Sequence, residues 1–352
     1  MKLQIHALII KPLIREEIFM INKTFKHILT LTTVALGLVA ALGNSAVLAQ
    51  DSYPEKPIRF IVGFSAGGGT DSIARSIASF IHEEIGMPAV VINKPGASSM
   101  IALKFLMSQE PDGYTLMVQS GASGLGQYLR GKSPANPYTD LKIIGQIGTI
   151  KTSLCVPMDS PFETAQDVVD AAKKRPGELR WGHGGRGSTN NIAGESFLRA
   201  NGLDVKDVPT KGGSRARGLL VSNQVDFGFI GPHLLTGFES KVRCLALSTS
   251  NRDGVMTDIP TLKELGLNYK DITTPMMLLA RKEIPEDRYQ KLVVALKNLS
   301  EIKGFQKFIK KSGIAVEYRS PEDAFAYYSQ LCQNMKPVVD DIFEIEDPKS
   351  CP

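Results

Sequence analysis

One junction constrains this chain more than any other. The apolar run Ile58-Arg59-Phe60-Ile61-Val62-Gly63-Phe64 passes through Ser65-Ala66-Gly67-Gly68-Gly69-Thr70-Asp71 into the helical pattern Ser72-Ile73-Ala74-Arg75-Ser76-Ile77-Ala78. Three adjacent glycines let the backbone turn sharply and approach a ligand closely. The helix that follows points free N–H groups and the positive end of its dipole into the turn. That end seats a carboxylate or a phosphate.

The same alternation continues along the chain. Short apolar runs predict strands over 58–64, 89–92, 114–119, 142–148, 153–156, 179–182, 205–208, 227–230 and 242–247. Helical patterns fall at 71–85, 98–109, 163–174, 190–201, 215–223, 286–297, 302–312 and 321–342. Strands alternating with helices imply an α/β fold with largely parallel sheets. Ligands in such sheets bind beyond the carboxyl ends of strands. Two sheets would leave a cleft between them. The first lobe is expected over 50–150 and 272–352, the second over 151–271.

The N-terminus reads as an export signal. Lys23 and Lys26 precede an apolar run over 28–42, then small residues and Val47-Leu48-Ala49. Basic n-region, short h-region and small-x-small end describe a secretory signal peptide over 1–49, with 1–19 as an upstream extension. The run is too short for a comfortable membrane span. The alternatives are an uncleaved anchor and a lipoprotein, and the latter lacks a nearby Cys. Positions 1–49 hold five Lys/Arg and two Glu; removing them from 41 basic and 36 acidic residues leaves 36 and 34, net +2. So balanced a charge suggests neither nucleic acid nor an anionic membrane as a partner. An oxidising compartment permits disulfides among Cys155, Cys244, Cys332 and Cys351. Cys155–Cys244 and Cys332–Cys351 are one reading, and buried free thiols are the other.

Several chemistries fail on the residues. Ala66-Gly67-Gly68-Gly69 is not G-x-G-x-x-G, and the second strand ends at Asn93 rather than an acidic residue. No Gly-Lys-Ser/Thr follows, so it is not a P-loop. Neither Gly121-Ala122-Ser123-Gly124-Leu125 nor Gly212-Gly213-Ser214-Arg215-Ala216 is a nucleophile elbow. His82, His183 and His233 lack metal spacing. No cofactor and no metal are expected. Asp71 reads as a helix cap or a ligand contact rather than a general base.

A second glycine turn, Trp181-Gly182-His183-Gly184-Gly185-Arg186-Gly187-Ser188-Thr189-Asn190-Asn191, again runs from a strand into a helix. Ser188 and Thr189 offer hydroxyls, and Arg186 offers a planar cation suited to a carboxylate. A third cluster, Val208 to Arg217, is dense in donors; Lys211, Ser214 and Arg215 are candidates to face a cleft, whereas Arg215 and Arg217 also read as a solvated helix face. Either glycine turn alone could be a mere connection. Together they describe two walls closing on one anion. The expected ligand-binding residues are Ser65, Ala66, Gly67, Gly68, Gly69, Thr70 and Asp71 on one side, and Arg186, Gly187, Ser188, Thr189, Asn190 and Lys211 on the other.

The motifs also carry a resemblance. Tyr53-Pro54-Glu55-Lys56-Pro57-Ile58-Arg59 with Ala66-Gly67-Gly68-Gly69-Thr70-Asp71 resembles the mature start of the tripartite tricarboxylate transporter substrate-binding proteins, the Bug or TctC-like family. Asn93-Lys94-Pro95-Gly96-Ala97, Pro111-Asp112-Gly113-Tyr114-Thr115-Leu116, Ala193-Gly194-Glu195-Ser196-Phe197, Asn223-Gln224-Val225-Asp226, Arg243-Cys244-Leu245-Ala246-Leu247 and Ile259-Pro260-Thr261 follow in order. The resemblance covers essentially all of the chain beyond the signal. It implies a two-lobed, periplasmic-binding-protein-like α/β fold and a non-enzymatic receptor in the periplasm. The ligand would be a di- or tricarboxylate, an acidic amino acid or an aromatic acid. The partners would be the large and small membrane subunits of a secondary transporter, the receptor itself a monomer. A sensor as docking partner is the alternative. The chain departs from the family at Ser98-Ser99-Met100, where glycines are usual, at Asn191, at Thr210, in 281–285 and at Arg186. Arg186 would suit a second acidic group on the ligand.

Overall fold

The computed structural model describes residues 53–343, 345 and 349–352, and the signal-peptide reading of 1–49 lies outside them. Residues Pro54–Pro352 form one unit. Among the described residues, eleven strands make two sheets. The six-stranded sheet contains β1 (Ile58–Val62), β2 (Ala89–Asn93), β3 (Thr115–Ser120), β4 (Leu141–Ile150), β10 (Thr274–Arg281) and β11 (Val316–Arg319), in the order β11-β4-β10-β3-β1-β2. The five-stranded sheet contains β5 (Ser153–Pro157), β6 (Arg180–His183), β7 (Lys206–Pro209), β8 (Phe227–Ile230) and β9 (Val242–Leu247), in the order β7-β6-β8-β5-β9.

Most strands in each sheet share one direction, as the alternation predicts, but reversed strands are inserted. In the first sheet β1 pairs in parallel with β2 and β3, while β10 runs antiparallel between β3 and β4. In the second, β6 pairs in parallel with β7 and β8, while β5 runs antiparallel to β8 and β9. β5 and β10 are reversed because they are the lobe crossings, whereas β11, antiparallel to β4, is a reversed edge strand within the first lobe. β4 ends at Ile150 and β5 starts at Ser153 in the other sheet, so one nearly continuous extended segment enters the second lobe from its cleft side. β10 brings the chain back.

The helices are α1 (Gly69–Ile85), α2 (Met100–Met107), α3 (Gly121–Leu129), α4 (Ala165–Lys174), α5 (Thr189–Ala200), α6 (Gly213–Val221), α7 (Glu286–Glu301), α8 (Lys303–Lys311) and α9 (Pro321–Phe343). α1 packs against α7 and α8, while α3 packs against α9. The first core joins Ile61 and Met117 of the sheet to Leu103, Leu125, Tyr328 and Met335 of the helices. In the second lobe strand alternation divides the side chains between faces. Leu154, Val156, Trp181, Phe227 and Phe229 lie with α4 and α5, and Cys155 and Ile230 with α6. Trp181 is a core residue. The disulfides Cys155–Cys244 and Cys332–Cys351 both form. The first staples β5 to β9, and the second ties the C-terminal segment to α9.

No helix among the described residues is long and apolar enough to cross a membrane, and no group of three or more His, Cys, Asp or Glu among them is placed to hold a metal. Three elements lack a sequence expectation: α3, β10 and β11. α3 carries glycines at 121, 124 and 126 because neighbours crowd it. A Cβ on Gly124 would meet the Gln119 amide and the Tyr328 hydroxyl, and one on Gly126 the Ile192 side chain and the Gly187 carbonyl oxygen.

Candidate functional site

Four strands end at the cleft and turn directly into helices. β1 leads to α1, β3 to α3, β6 to α5 and β7 to α6. A helix start leaves backbone N–H groups unpaired, and the dipole makes that end positive. At three of the four starts the N-cap, Gly68, Ser120 or Gly212, makes no side-chain capping bond. At the fourth, Ser188 accepts from the Asn191 N–H at 3.3 Å. Four positive helix ends therefore converge, most of them without the side-chain oxygen that ordinarily occupies such a position.

They close on a cavity of about 50 Å³. By water-sized volumes this is roughly room for a few waters or a small acid group. From the first lobe come Gly68, Gly69 and Thr70 at the head of α1, with Ser120 and Ser123 around the head of α3. From the second lobe come Ser188, Thr189 and Asn190, Gly213, and His233 on the short turn Pro232–Leu235. Phe64, Ile150, Leu234 and Met276 supply the apolar part of the wall. No Lys, Arg, Asp or Glu is among the lining residues, and His233 is their one titratable side chain. The site's positive potential is built from backbone dipoles and hydroxyls.

The lobes are latched around this cavity. The Ser120, Ser123 and Thr189 hydroxyls form a triangle with sides of 3.0, 3.2 and 3.2 Å, and the Thr189 N–H donates to Ser123 Oγ at 3.0 Å. The Ser65 N–H and hydroxyl both donate to the Lys211 carbonyl at 3.2 and 3.1 Å. Ser214 Oγ donates to the Ala66 carbonyl at 3.1 Å. The Arg186 carbonyl accepts from Ser98 Oγ at 2.8 Å, Gln127 Nε2 at 2.9 Å and Arg130 Nη1 at 3.3 Å.

Six of the residues expected to bind ligand lie on the cavity wall: Gly68, Gly69, Thr70, Ser188, Thr189 and Asn190. Ser65 and Ala66 are in the latch. Gly67 and Gly187 shape the loops: the Gly67 N–H donates to Asp71 Oδ2 at 2.8 Å and the Gly187 N–H to Asn191 Oδ1 at 2.7 Å. Three charged residues are not brought to the cavity. Asp71 is buried, and its carboxylate also takes Arg75 Nε and Asn93 Nδ2, each at 2.9 Å. Burial pushes its pKa up, but these donors outweigh that and hold it below the usual value. The Arg186 guanidinium, expected to meet a ligand acid, grips Asp207 on β7 instead, at 2.9 and 3.0 Å. It holds the Asp207 carboxyl below its usual range. Lys211 is exposed and lines a neighbouring groove with Ser214 and Arg215. Arg217 is half-buried rather than part of a free solvated face: its guanidinium lies 3.7 Å from the centre of the Phe238 ring and donates to the Leu234 carbonyl.

His183 is buried beneath the second loop. Its Nδ1 accepts from the Gly185 N–H at 3.2 Å and its Nε2 lies 3.4 Å from Asp207. Burial lowers its pKa, and the ring supports the loop without lining the cavity. Sequence reasoning missed Ser120, Ser123, Gly231 and His233. The signal for the two serines was present in the small-residue run that follows the third strand.

Two α/β lobes joined by strand crossings, with a cavity at the carboxyl ends of strands from both, define a bilobed solute-binding protein. The chain belongs to the TctC family: residues 73–343 match its profile, the tripartite tricarboxylate transporter family receptor. It is a receptor of this kind and not an enzyme. A UPF0065 protein in the gbd 5′ region of Cupriavidus necator is 30% identical over 308 residues, covering 86% of this chain and 93% of that one. Protein BugT of Bordetella pertussis is 28% identical over 235 residues, covering 65% and 71%. The periplasmic binding protein BugD superposes with a TM-score of 0.75 at 26% identity, covering 85% of this chain and all of BugD. MatC of Rhodopseudomonas palustris, solved with bound malate, gives 0.76 at 24% identity over 82% of this chain and all of MatC. The last likeness is one of fold.

Proposed function

We propose that this receptor captures a small aliphatic carboxylate in the periplasm and delivers it to the large and small membrane subunits of a tripartite tricarboxylate transporter. One observation carries the reading: four helix N-termini converge on a cavity whose lining includes no charged side chain. Each such terminus favours an anion by about 0.3–1 kcal/mol, and more when buried. With room for little more than an acid group, the cavity favours a flexible aliphatic chain over a rigid ring joined directly to the carboxylate. With no carboxylate on its wall to receive an ammonium, it also disfavours an amino acid. The relatives solved with malate and with adipate support the same class.

In this reading Ser65–Asp71 and Arg186–Asn190 are the paired loops of a clamp, with Lys211 in its latch. Gly68–Thr70 and Ser188–Asn190 touch the acid. The lobes comprise residues 50–150 with 272–352, and 151–271. The receptor acts as a monomer, and residues 1–49 are its cleaved export signal.

The test is a thermal-shift screen with malate, succinate, adipate, aspartate and benzoate, followed by calorimetry on the best ligand. A ligand held only by the folded protein adds about 2.7 kcal/mol of stability at one hundred times its Kd. The expected result is a rise for an aliphatic acid and none for benzoate. A panel in which no carboxylate shifts the melting temperature refutes the reading.

A further inference from the structure

His233 stands apart from the paired loops, yet it is the one titratable side chain on the cavity wall. It is 7% exposed, and its Nε2 is buried with no hydrogen-bond partner. A buried nitrogen left in that state costs about 1–3 kcal/mol. Two glycines make room for the ring. A Cβ on Gly69 would collide with Nε2 itself, and one on Gly231 with the ring carbon Cε1. Nε2 thus faces the first residue of α1, where the helix presents its own N–H groups. Burial, opposed in part by Asp253 and reinforced by Arg217, pushes its pKa down to about 4. The ring is neutral at ordinary pH and carries a single N–H.

We propose that His233 is a ligand-binding and specificity residue: its Nε2–H joins the N–H groups at the head of α1 around one carboxylate of the bound acid. The proposal rests on the cavity being the acid's seat. A carboxylate oxygen seated in the cavity beside Gly69, within reach of the imidazole, satisfies Nε2 and restores what its burial costs the free protein. The ring contributes direction without adding a positive charge, so it favours a carboxylate oxygen placed against α1 over acids that seat elsewhere in the cleft.

The test uses malate and succinate as probes, with the native protein, His233→Phe and His233→Gln. Phe keeps a ring without a polar atom, and Gln keeps a donor. The expected result has three parts. His233→Phe binds the tighter probe at least tenfold more weakly, yet unfolds no earlier than the native protein when free, because the unpaired nitrogen is gone. His233→Gln recovers part of the affinity. In the native protein labelled with nitrogen-15 histidine, the His233 Nε2 resonance moves on titration with that probe. A role in packing alone would lower the stability of His233→Phe and leave its affinity intact; that outcome overturns the proposal, as does a resonance that does not move. If the native protein binds neither probe but binds another carboxylate of the screen, that acid becomes the probe. If it binds none, the cavity reading falls and the proposal with it.

Discussion

The carbonyl of Arg186 is one point where the second loop is held by the first lobe, and Gly187 lets it stay there. Gly187 has φ +75°. A Cβ at that position would collide with Gln127 Nε2 and crowd Arg130 Nη1. Both are the free ends of flexible side chains, so they can swing aside. Doing so gives up their bonds to the Arg186 carbonyl, at 2.9 and 3.3 Å, while Ser98 Oγ keeps its own at 2.8 Å. Gly187→Ala therefore has two separable costs. Left-handed backbone at an alanine costs about 1 kcal/mol wherever the loop is folded. Two hydrogen bonds, one of them long, are worth about 1–2 kcal/mol together, and only while the lobes are closed. The variant is expected to lose about 1 kcal/mol of unfolding free energy in urea. Its affinity for the preferred carboxylate should fall by about 5- to 30-fold, following 1.4 kcal/mol per tenfold. Small-angle scattering in the presence of a fixed ligand concentration should show a larger open fraction. An affinity equal to that of the native protein, alongside the expected loss of stability, refutes the assignment of this carbonyl as a closing latch.

Ser99 has φ +83° and a buried hydroxyl without a partner, at a position where the resembling family has glycine. Ser99→Gly is expected to raise stability by about 1 kcal/mol, relief of strain outweighing the added freedom of the unfolded chain; a lower urea midpoint would contradict this. His233 is neutral in the folded protein down to about pH 4, whereas in the unfolded chain it takes up a proton near 6.5. Stability in the free protein is therefore lost as pH falls from about 6.5 toward 4, by about 3 kcal/mol at 1.36 kcal/mol per pKa unit. Urea titrations at pH 7.5 and 4.5 should show that part of the loss missing from His233→Phe, and an identical loss in both proteins contradicts it. Arg186→Ala is expected to change ligand affinity by less than threefold, because its exposed guanidinium is engaged by Asp207; a tenfold loss by calorimetry would return Arg186 to the site.

The two strand–glycine–helix turns were legible because their signals are local. Apolar runs mark β1 and β6, and the glycines mark where the backbone must enter left-handed or crowded space. Helix N-termini then imply an anion without knowledge of anything distant. β10 was not legible: Pro275 and the unbroken apolar run through Met276–Ala280 carry no alternation, since the strand is buried on both faces. α3 was hidden for the opposite reason. Its glycines look like a loop, and only the neighbours at Tyr328 and Ile192 explain them.

Charged side chains were the least predictable part of the site. Sequence presents Asp71 and Arg186 beside the anion loops, and proximity suggests ligand contact. In three dimensions each meets an opposite charge of the protein first, Arg75 or Asp207, because a salt bridge at hydrogen-bond distance is a better partner than open solvent at the cleft rim. His233 is the converse: its own segment says nothing of an anion, and only the fold sets its ring against Gly69. By itself, then, the sequence determined the two backbone loops and the elements that flank them, which follow from local periodicity and backbone freedom, and its ordered motifs carried the resemblance to the family. The tertiary structure decided which side chains face the cavity, because that depends on the partners each polar group finds when distant strands are brought together.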